Sequence, residues 1–343
     1  MRKHEFAQMI VVSVILSVIG VAFALAIDWF PTQAASQADD IDTLYDVLLI
    51  FSVPVFVLVE MVVLFSVWKF RMRPGQEETD GPPIHGSTTL EVVWTIVPTV
   101  LIAVLCVWAY VVLQNIEEAP ASGQEMIVDV SGEQFTWRFS YPQPDGAKPI
   151  ASTQLYLPKD KPVLFKIHAK DVLHSFWVPA FRIKRDAVPG ITTEFRVTPN
   201  RLGTYPVVCA ELCGIGHAAM RQTAHIVTQA RFEQWLAEKQ APVVPEGATP
   251  TEAGKALYTS PDNGCGACHK LADAGSGGAI GPDLDQSLKG KDEAYVRAGI
   301  ADPDAVIAEG FSKGIMPTTY SDSLSDDELD ALTSYLVTAT QGP

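Results

Sequence analysis

The stretch Cys209-Ala210-Glu211-Leu212-Cys213-Gly214-Ile215-Gly216-His217-Ala218-Ala219-Met220 gathers two thiols, an imidazole and a thioether within twelve residues. Soft sulfur with imidazole suits copper, and two thiolates can bridge a pair of ions. The glycines at 214 and 216 let the loop fold tightly around a metal. A fourth strong ligand must come from elsewhere, and His174, in Asp171-Val172-Leu173-His174-Ser175-Phe176-Trp177-Val178-Pro179, follows an expected strand. A Cys209–Cys213 disulfide with a chance His and Met nearby is the plainer reading. Zinc is a further one, although Met is a poor zinc ligand. Around this loop, residues 121–230 carry short β-rich runs such as Met126–Val130, Val163–His168 and Thr193–Val197, divided by Pro, Gly and Asp clusters. That spacing predicts an antiparallel β-sandwich. His168 and His225 fall on strand-like runs without a ligand motif and read as ordinary histidines.

Downstream, residues 231–250 read as a linker whose second half, 241–250, is Pro-rich. Residues 251–343 then form a third region. Thr251–Tyr258 looks helical, and Ser325-Asp326-Asp327-Glu328 has the pattern of a capping box opening a helix with Leu329, Leu332 and Leu336 on one face. Between them stands Cys265-Gly266-Ala267-Cys268-His269, the attachment motif for c-type haem, in which two thioethers anchor the ring and the adjacent His ligates iron. A redox or zinc C-x-x-C would not need the following His. After His269 there is no further histidine, and after Met220 Met316 is the only methionine, which makes Met316 the second axial candidate. His/Met ligation raises a haem potential, as an electron donor to copper needs.

Upstream, three apolar runs dominate: Met9–Ile27, Leu44–Trp68, interrupted only by Asp46 and Glu60, and Val92–Leu113 with Pro98 inside. Each is about long enough to cross a bilayer core. Trp29, Trp68, Trp94 and Trp108 sit near their ends, as interfacial aromatics do. Residues 1–43 read as an N-terminal hydrophobic segment, anchor or signal peptide, with an outer loop; residues 44–120 read as a transmembrane hairpin. Arg2 and Lys3 precede the first run, Lys69, Arg71 and Arg73 follow the second, and the 31–43 loop has neither Lys nor Arg. This asymmetry places the N-terminus and the 69–90 loop in the cytoplasm and everything beyond about residue 114 outside. Cys106 is expected to be a buried small residue of the third helix. Across all 343 residues the net charge is −15, although 48% of residues are hydrophobic. Acidic outer domains argue against nucleic acid as a partner and suit a basic protein.

On the Cys209–Met220 loop and His174, residues 40–230 resemble subunit II of copper-containing haem-copper oxidases. Residues 251–340 resemble class I cytochromes c, on the C-x-x-C-H motif, Gly281-Pro282-Asp283-Leu284 and Gly314-Ile315-Met316-Pro317. Together they resemble the subunit II of caa-type oxidases. The resemblance implies a cupredoxin-like sandwich and an all-α cytochrome c domain. It also implies a dinuclear CuA centre of two copper ions: Cys209 and Cys213 bridging, His174 and Met220 completing one copper, and His217 with the Glu211 carbonyl completing the other. The Glu211 side chain would join a Mg²⁺ or Mn²⁺ shared with subunit I, with Asp186 near it. Glu91, in Leu90-Glu91-Val92-Val93-Trp94, would stand at the cytoplasmic mouth of a proton channel, and Glu60 would touch another subunit. The implied partners are oxidase subunits I and III, membrane lipid, and an upstream donor, cytochrome c or a quinol:cytochrome c reductase. The implied location is a bacterial cell membrane, crossed several times. Electrons would pass from haem c to CuA and on to subunit I, where O₂ becomes water with proton translocation. A subunit of a CuA-containing nitric oxide reductase and a free-standing membrane-anchored carrier are the other readings. A quinol oxidase subunit would lack the copper ligands that are complete here. One departure matters. Subunits that dock soluble cytochrome c resemble Gly-His-Gln-Trp-Tyr-Trp, whereas this chain reads Gly132-Glu133-Gln134-Phe135-Thr136-Trp137, with Phe135 in place of the electron-accepting Trp.

Overall fold

A computed structural model describes residues 3–72, 74–75, 83, 85–121, 124–144, 149–240, 244, 247–260, 262–318 and 320–341. Arg2, Arg73 and much of the Pro-rich 241–250 segment lie outside the described residues. The chain divides into two units, residues 1–32 with 37–118, and residues 33–36 with 119–343.

The first unit holds α1 (Lys3–Leu25), α2 (Gln37–Phe70) and α3 (Thr88–Glu117), each long and apolar enough to cross a membrane. Their side chains are apolar on the outside, Phe56 and Val107 being each 65% exposed. A water-soluble bundle would bury that surface; a bilayer solvates it. Gly20 lets α1 approach α2, since a Cβ there would come within 2.8 Å of Val53 Cγ1. Lys69 Nζ, near the end of α2, pairs with Glu5 Oε1 at 2.7 Å in the first turn of α1. Trp29 and Phe30 pack edge-on against Tyr45 where α1 gives way to α2. Cys106 is exposed, contrary to expectation, because α3 buries little beyond Val112. Glu60 and Glu91 are exposed as well.

In the second unit two five-stranded sheets face each other. One has the order β3 (Ile150–Ser152), β2 (Thr136–Tyr141), β1 (Met126–Glu133), β5 (Val163–Ala169), β8 (Thr193–Val197). The other runs β4 (Leu155–Pro158), β10 (Arg221–Val227), β9 (Gly203–Cys209), β6 (His174–Trp177), β7 (Lys184–Ala187). Inward-facing residues of β2, β5, β6 and β8 supply an aromatic core of Phe139, Phe165, Phe176 and Phe195. The sandwich is not wholly antiparallel: β1 pairs with β5 and β4 with β10 in parallel. Each parallel pair joins strands far apart in sequence, which a period-two pattern cannot reveal. Residues 33–36, expected as plain outer loop, are built into this sandwich. Ala34 and Ala35 are fully buried, and Ala34 N–H donates to Ala180 O at 2.9 Å while its own carbonyl accepts from Asn200 N–H at 3.0 Å.

The expected linker also begins later than residue 231. Gln229–Gln240 forms a helix, α4, which drives Phe232 and Trp235 into the sandwich core at 4% and 3% exposure. Trp235 stacks on Tyr156 with ring centroids 4.5 Å apart. This apolar stripe, not the polar remainder of the segment, decides its structure.

The cytochrome-like region has its own core. It comprises α5 (Pro250–Thr259), α6 (Cys265–Cys268), α7 (Leu284–Ser287), α8 (Glu293–Ala301), α9 (Tyr320–Ser323) and α10 (Asp326–Gln341). The hairpin β11 (Lys270–Leu271) and β12 (Ser276–Gly277) means it is not strictly all-α. Both long helices open with reciprocal capping boxes, Thr249 with Glu252 and Ser325 with Glu328. They cross closely at Gly254, where a Cβ would sit 2.1 Å from Ala331 O.

Candidate metal centre and haem crevice

The sandwich brings His174, at the start of β6, beside the loop that follows β9. Cys209, Cys213, Met220 and His174 are all buried. Cys209 Sγ and Cys213 Sγ are 3.9 Å apart. His174 Nδ1 lies 3.9 Å from Cys209 Sγ and His217 Nδ1 3.5 Å from Cys213 Sγ. Met220 Sδ is 3.8 Å from Cys213 Sγ, and the Glu211 carbonyl is 3.2 Å from Cys209 Sγ. Two central thiols flanked by two imidazoles, a thioether and a carbonyl are a donor set that fits a pair of bridged coppers. Burial disfavours either thiolate. Hydrogen bonding from His174 and nearby backbone nevertheless pulls Cys209 below the usual thiol range, while burial and the neighbouring Cys209 charge push Cys213 up.

Asp171 orients this centre, and reading the sequence did not find it. Its Oδ1 lies 2.9 Å from His174 Nε2, and its Oδ2 accepts from Gln134 N–H at 2.7 Å. A carboxylate on the outer nitrogen leaves Nδ1 to face the sulfurs. Burial works against the Asp171 anion, but these hydrogen bonds hold its carboxyl below the ordinary range. The clue in the sequence was an acid three residues before the ligand His. Gly132 is needed here, since a Cβ would lie 3.0–3.1 Å from Trp137 and His174. The Gln134 amide donates to Cys213 O at 2.5 Å, and Phe135 lies so close on the copper loop that a Cβ on Gly216 would be 2.4 Å from its ring.

Among the described residues, His174, Cys209 and Cys213 bring ligand atoms within 4.8 Å of one another, close enough to hold a metal ion. The Glu211 and Asp186 side chains are exposed, and Asp186 Oδ1 accepts from Ser175 O–H at 2.7 Å. His225 stacks on Tyr156, as an ordinary histidine would.

In the cytochrome-like region a cavity of about 590 Å³ is lined by Cys265, Cys268, His269 and Met316. Its size suits a cofactor. His269 Nδ1 is 3.0 Å from Pro282 O, which leaves Nε2 for iron. Gly281 lets the chain approach, because a Cβ there would be 2.6 Å from the His269 ring. Burial holds His269 below its usual range and so neutral, as a ligand must be, and pushes Cys265 up to about 12. The residues therefore fit a covalently attached haem. The same cavity is lined from the sandwich by Phe135, Thr136, Arg138 and Arg221.

Comparison with known proteins agrees with this geometry. Residues 22–112 match the transmembrane domain of cytochrome c oxidase subunit II, 147–227 its periplasmic domain, and 251–340 cytochrome c. Cytochrome c oxidase subunit 2 of Thermostichus vulcanus is 34% identical over 271 residues, covering 63% of this chain and 81% of the relative. The chain belongs to the cytochrome c oxidase subunit 2 family. The subunit 2 of Alkalihalophilus pseudofirmus is 32% identical over 306 residues, covering 84% of this chain and 85% of the relative. Among solved structures, the periplasmic domain of subunit II of the Bradyrhizobium japonicum cytochrome oxidase is 27% identical, with a TM-score of 0.31, covering 34% of this chain and 93% of that one.

As a subunit 2 with a fused cytochrome c domain, the chain is a membrane component of a haem-copper terminal oxidase, and subunit I is its partner. It serves respiratory electron transport, with copper and haem as its cofactors.

Proposed function

We propose that this subunit takes electrons through haem c, held by Cys265 and Cys268 with His269 and Met316 as axial ligands, and passes them through a dinuclear CuA centre. That centre is held by His174, Cys209, the Glu211 carbonyl, Cys213, His217 and Met220. Bound there, the two groups supply one-electron carriage towards subunit I, where O₂ is reduced and protons are translocated. The single observation carrying this reading is the position of Phe135, which packs on the copper loop at Gly216 and also lines the haem cavity. Asp171 keeps His174 in the ligating tautomer, and Pro282 O does the same for His269.

The sandwich and cytochrome regions lie on the extracytoplasmic side in this reading. Support comes from charge: Lys69 and Arg71 follow the second apolar run, while the 31–43 loop carries neither Lys nor Arg. The packing of α1 on α2 at Gly20 favours a retained anchor over a removed leader. The domains run 1–32 with 37–118 for the helices, 33–36 with 119–240 for the sandwich, and 251–343 for the cytochrome region, with the linker shortened by α4. Glu91 admits protons on the cytoplasmic side. The Glu211 and Asp186 carboxylates contribute to a Mg²⁺ or Mn²⁺ completed by subunit I, subunit III joins the complex, and cytochrome c or a quinol:cytochrome c reductase is the donor.

The test removes residues 241–343 from the intact oxidase, which is feasible because the sandwich and cytochrome regions have separate cores. The copper absorbance should persist while oxidation of external donors collapses. A truncated complex that oxidised soluble cytochrome c as fast as the full one would overturn the route.

A further inference from the structure

The loop that carries the first haem-attaching cysteine is held from the α4 side at one place and faces a sandwich charge cluster across the haem cavity at a second. Lys239, in the last turn of α4, forms an ion pair with Asp262, the two side chains being 21% and 22% exposed. The other Asp262 oxygen is buried without a hydrogen bond, so this carboxylate leans on Lys239. Next to it, Asn263 accepts a hydrogen bond from the Tyr320 hydroxyl at 2.7 Å. Tyr320 is 8% exposed and follows Met316 by four residues, so it ties the methionine side of the crevice to the cysteine side. The second place is a charge cluster on the sandwich. Glu133 is 5% exposed, 3.4 Å from Lys170 Nζ and 3.8 Å from Arg138 Nη2. Arg138 and Tyr320 line one cavity. Gly264, between Asn263 and Cys265, has φ +68°, so the loop holds a conformation that other residues adopt poorly.

We propose that Lys239 and the Glu133–Arg138 pair are a docking clamp, which seats the Asp262–Cys265 loop of the chain's own cytochrome region so that its thioether edge faces Phe135. This inference rests on the route above and names what holds that route's two halves in register. Lys239 and Glu133 are positioning residues outside the haem cavity, and Arg138 stands in its lining. Tethering explains why so few charges suffice. A short linker keeps the two regions at roughly millimolar effective concentration, so a weak contact decides between docked and undocked states. The clamp also explains Glu133 at the position where subunits docking a soluble partner resemble Gly-His-Gln: here a carboxylate is needed to hold Arg138 at the crevice rim.

The experiment uses the whole oxidase and times the arrival at the copper centre of an electron placed on the haem by a flash-activated reductant. Lys239→Glu should slow that internal transfer by about tenfold, because it replaces attraction by repulsion at a partly buried pair. Copper and haem absorbance should be unchanged. Lys239→Arg should transfer normally, and Lys239→Glu combined with Asp262→Lys should recover most of the rate, a rescue that a merely structural role would not give. Arg138→Gln should slow transfer in the same direction. A wild-type rate in Lys239→Glu, or a double reversal no better than the single, would overturn the clamp. The route itself is checked separately with Cys265→Ala/Cys268→Ala. If the oxidase lacking haem c still reduced its copper centre from external donors at the normal rate, the route would fail. If it were blocked while Lys239→Glu transferred normally, the clamp alone would fail.

Discussion

Phe135 and Asp171 illustrate how much one side chain decides here. Phe135 stands where the sequence resemblance leads one to expect an oxidisable indole, and its ring packs on Gly216 while lining the haem cavity. Asp171 reaches His174 from three residues away and fixes which nitrogen faces the sulfurs. The candidate ligands themselves were legible, because soft donors clustered in twelve residues have few other uses. Asp171 was not, because an acid in a polar loop looks like any solvated charge until the fold turns it inward. Met316 belongs between these cases: elimination named it, and the fold brings it to the cavity that holds His269. Met316→Ala should leave haem covalently attached and lower its midpoint potential, since the thioether ligand that favours the reduced state is lost. A redox titration with absorption spectra checks this. Unchanged potential and ligand bands would rule Met316 out as the axial ligand.

Among the elements, α4 is the instructive one. Phe232, Trp235 and Leu236 stand at the i, i+3, i+4 spacing of a helical stripe, but the polar remainder and the Pro-rich stretch beyond it read as linker. Burial of Phe232 and Trp235 outweighs that impression, since two large aromatic side chains contribute roughly 3–6 kcal/mol when removed from water. The helices of the cytochrome region were easier, because the Ser325–Glu328 capping box marks its helix start by local chemistry. The parallel pairings of β1 with β5 and β4 with β10 were invisible for the opposite reason: a strand's alternation says which face is buried, not which strand lies beside it. Where α5 crosses α10, Gly254 leaves no room for a methyl group. Gly254→Ala should destabilise the cytochrome region by about 1–3 kcal/mol through overpacking against Ala331 O. Thermal unfolding followed at the haem absorbance, with the copper signal as internal reference, measures this. A variant as stable as the parent would show that the crossing can relax.

At the scale of the whole molecule, apolar helices, a copper-binding sandwich and a haem region are strung along one chain, and the short 33–36 segment makes the first connection part of the second unit. Glu91 stands in the first turn of α3, and the proposed function makes it a proton-uptake residue. Glu91→Ala should therefore slow turnover of the complete oxidase while leaving both metal spectra unchanged. Steady-state O₂ uptake measured across pH reads it, and normal rates throughout would remove Glu91 from proton uptake. The sequence by itself determined what depends on adjacent residues: the membrane segments, from unbroken apolar runs; the candidate copper and haem ligands, from donor atoms at fixed spacing; and the helix start at Ser325, from its capping side chains. The tertiary structure alone decided what depends on residues far apart. It set Asp171 behind His174, drew 33–36 and α4 into the sandwich, paired strands across long crossovers, and brought Lys239 to Asp262 and Arg138 to the haem crevice. Those outcomes follow from burial and charge pairing summed over distant segments, whose energies no local stretch contains.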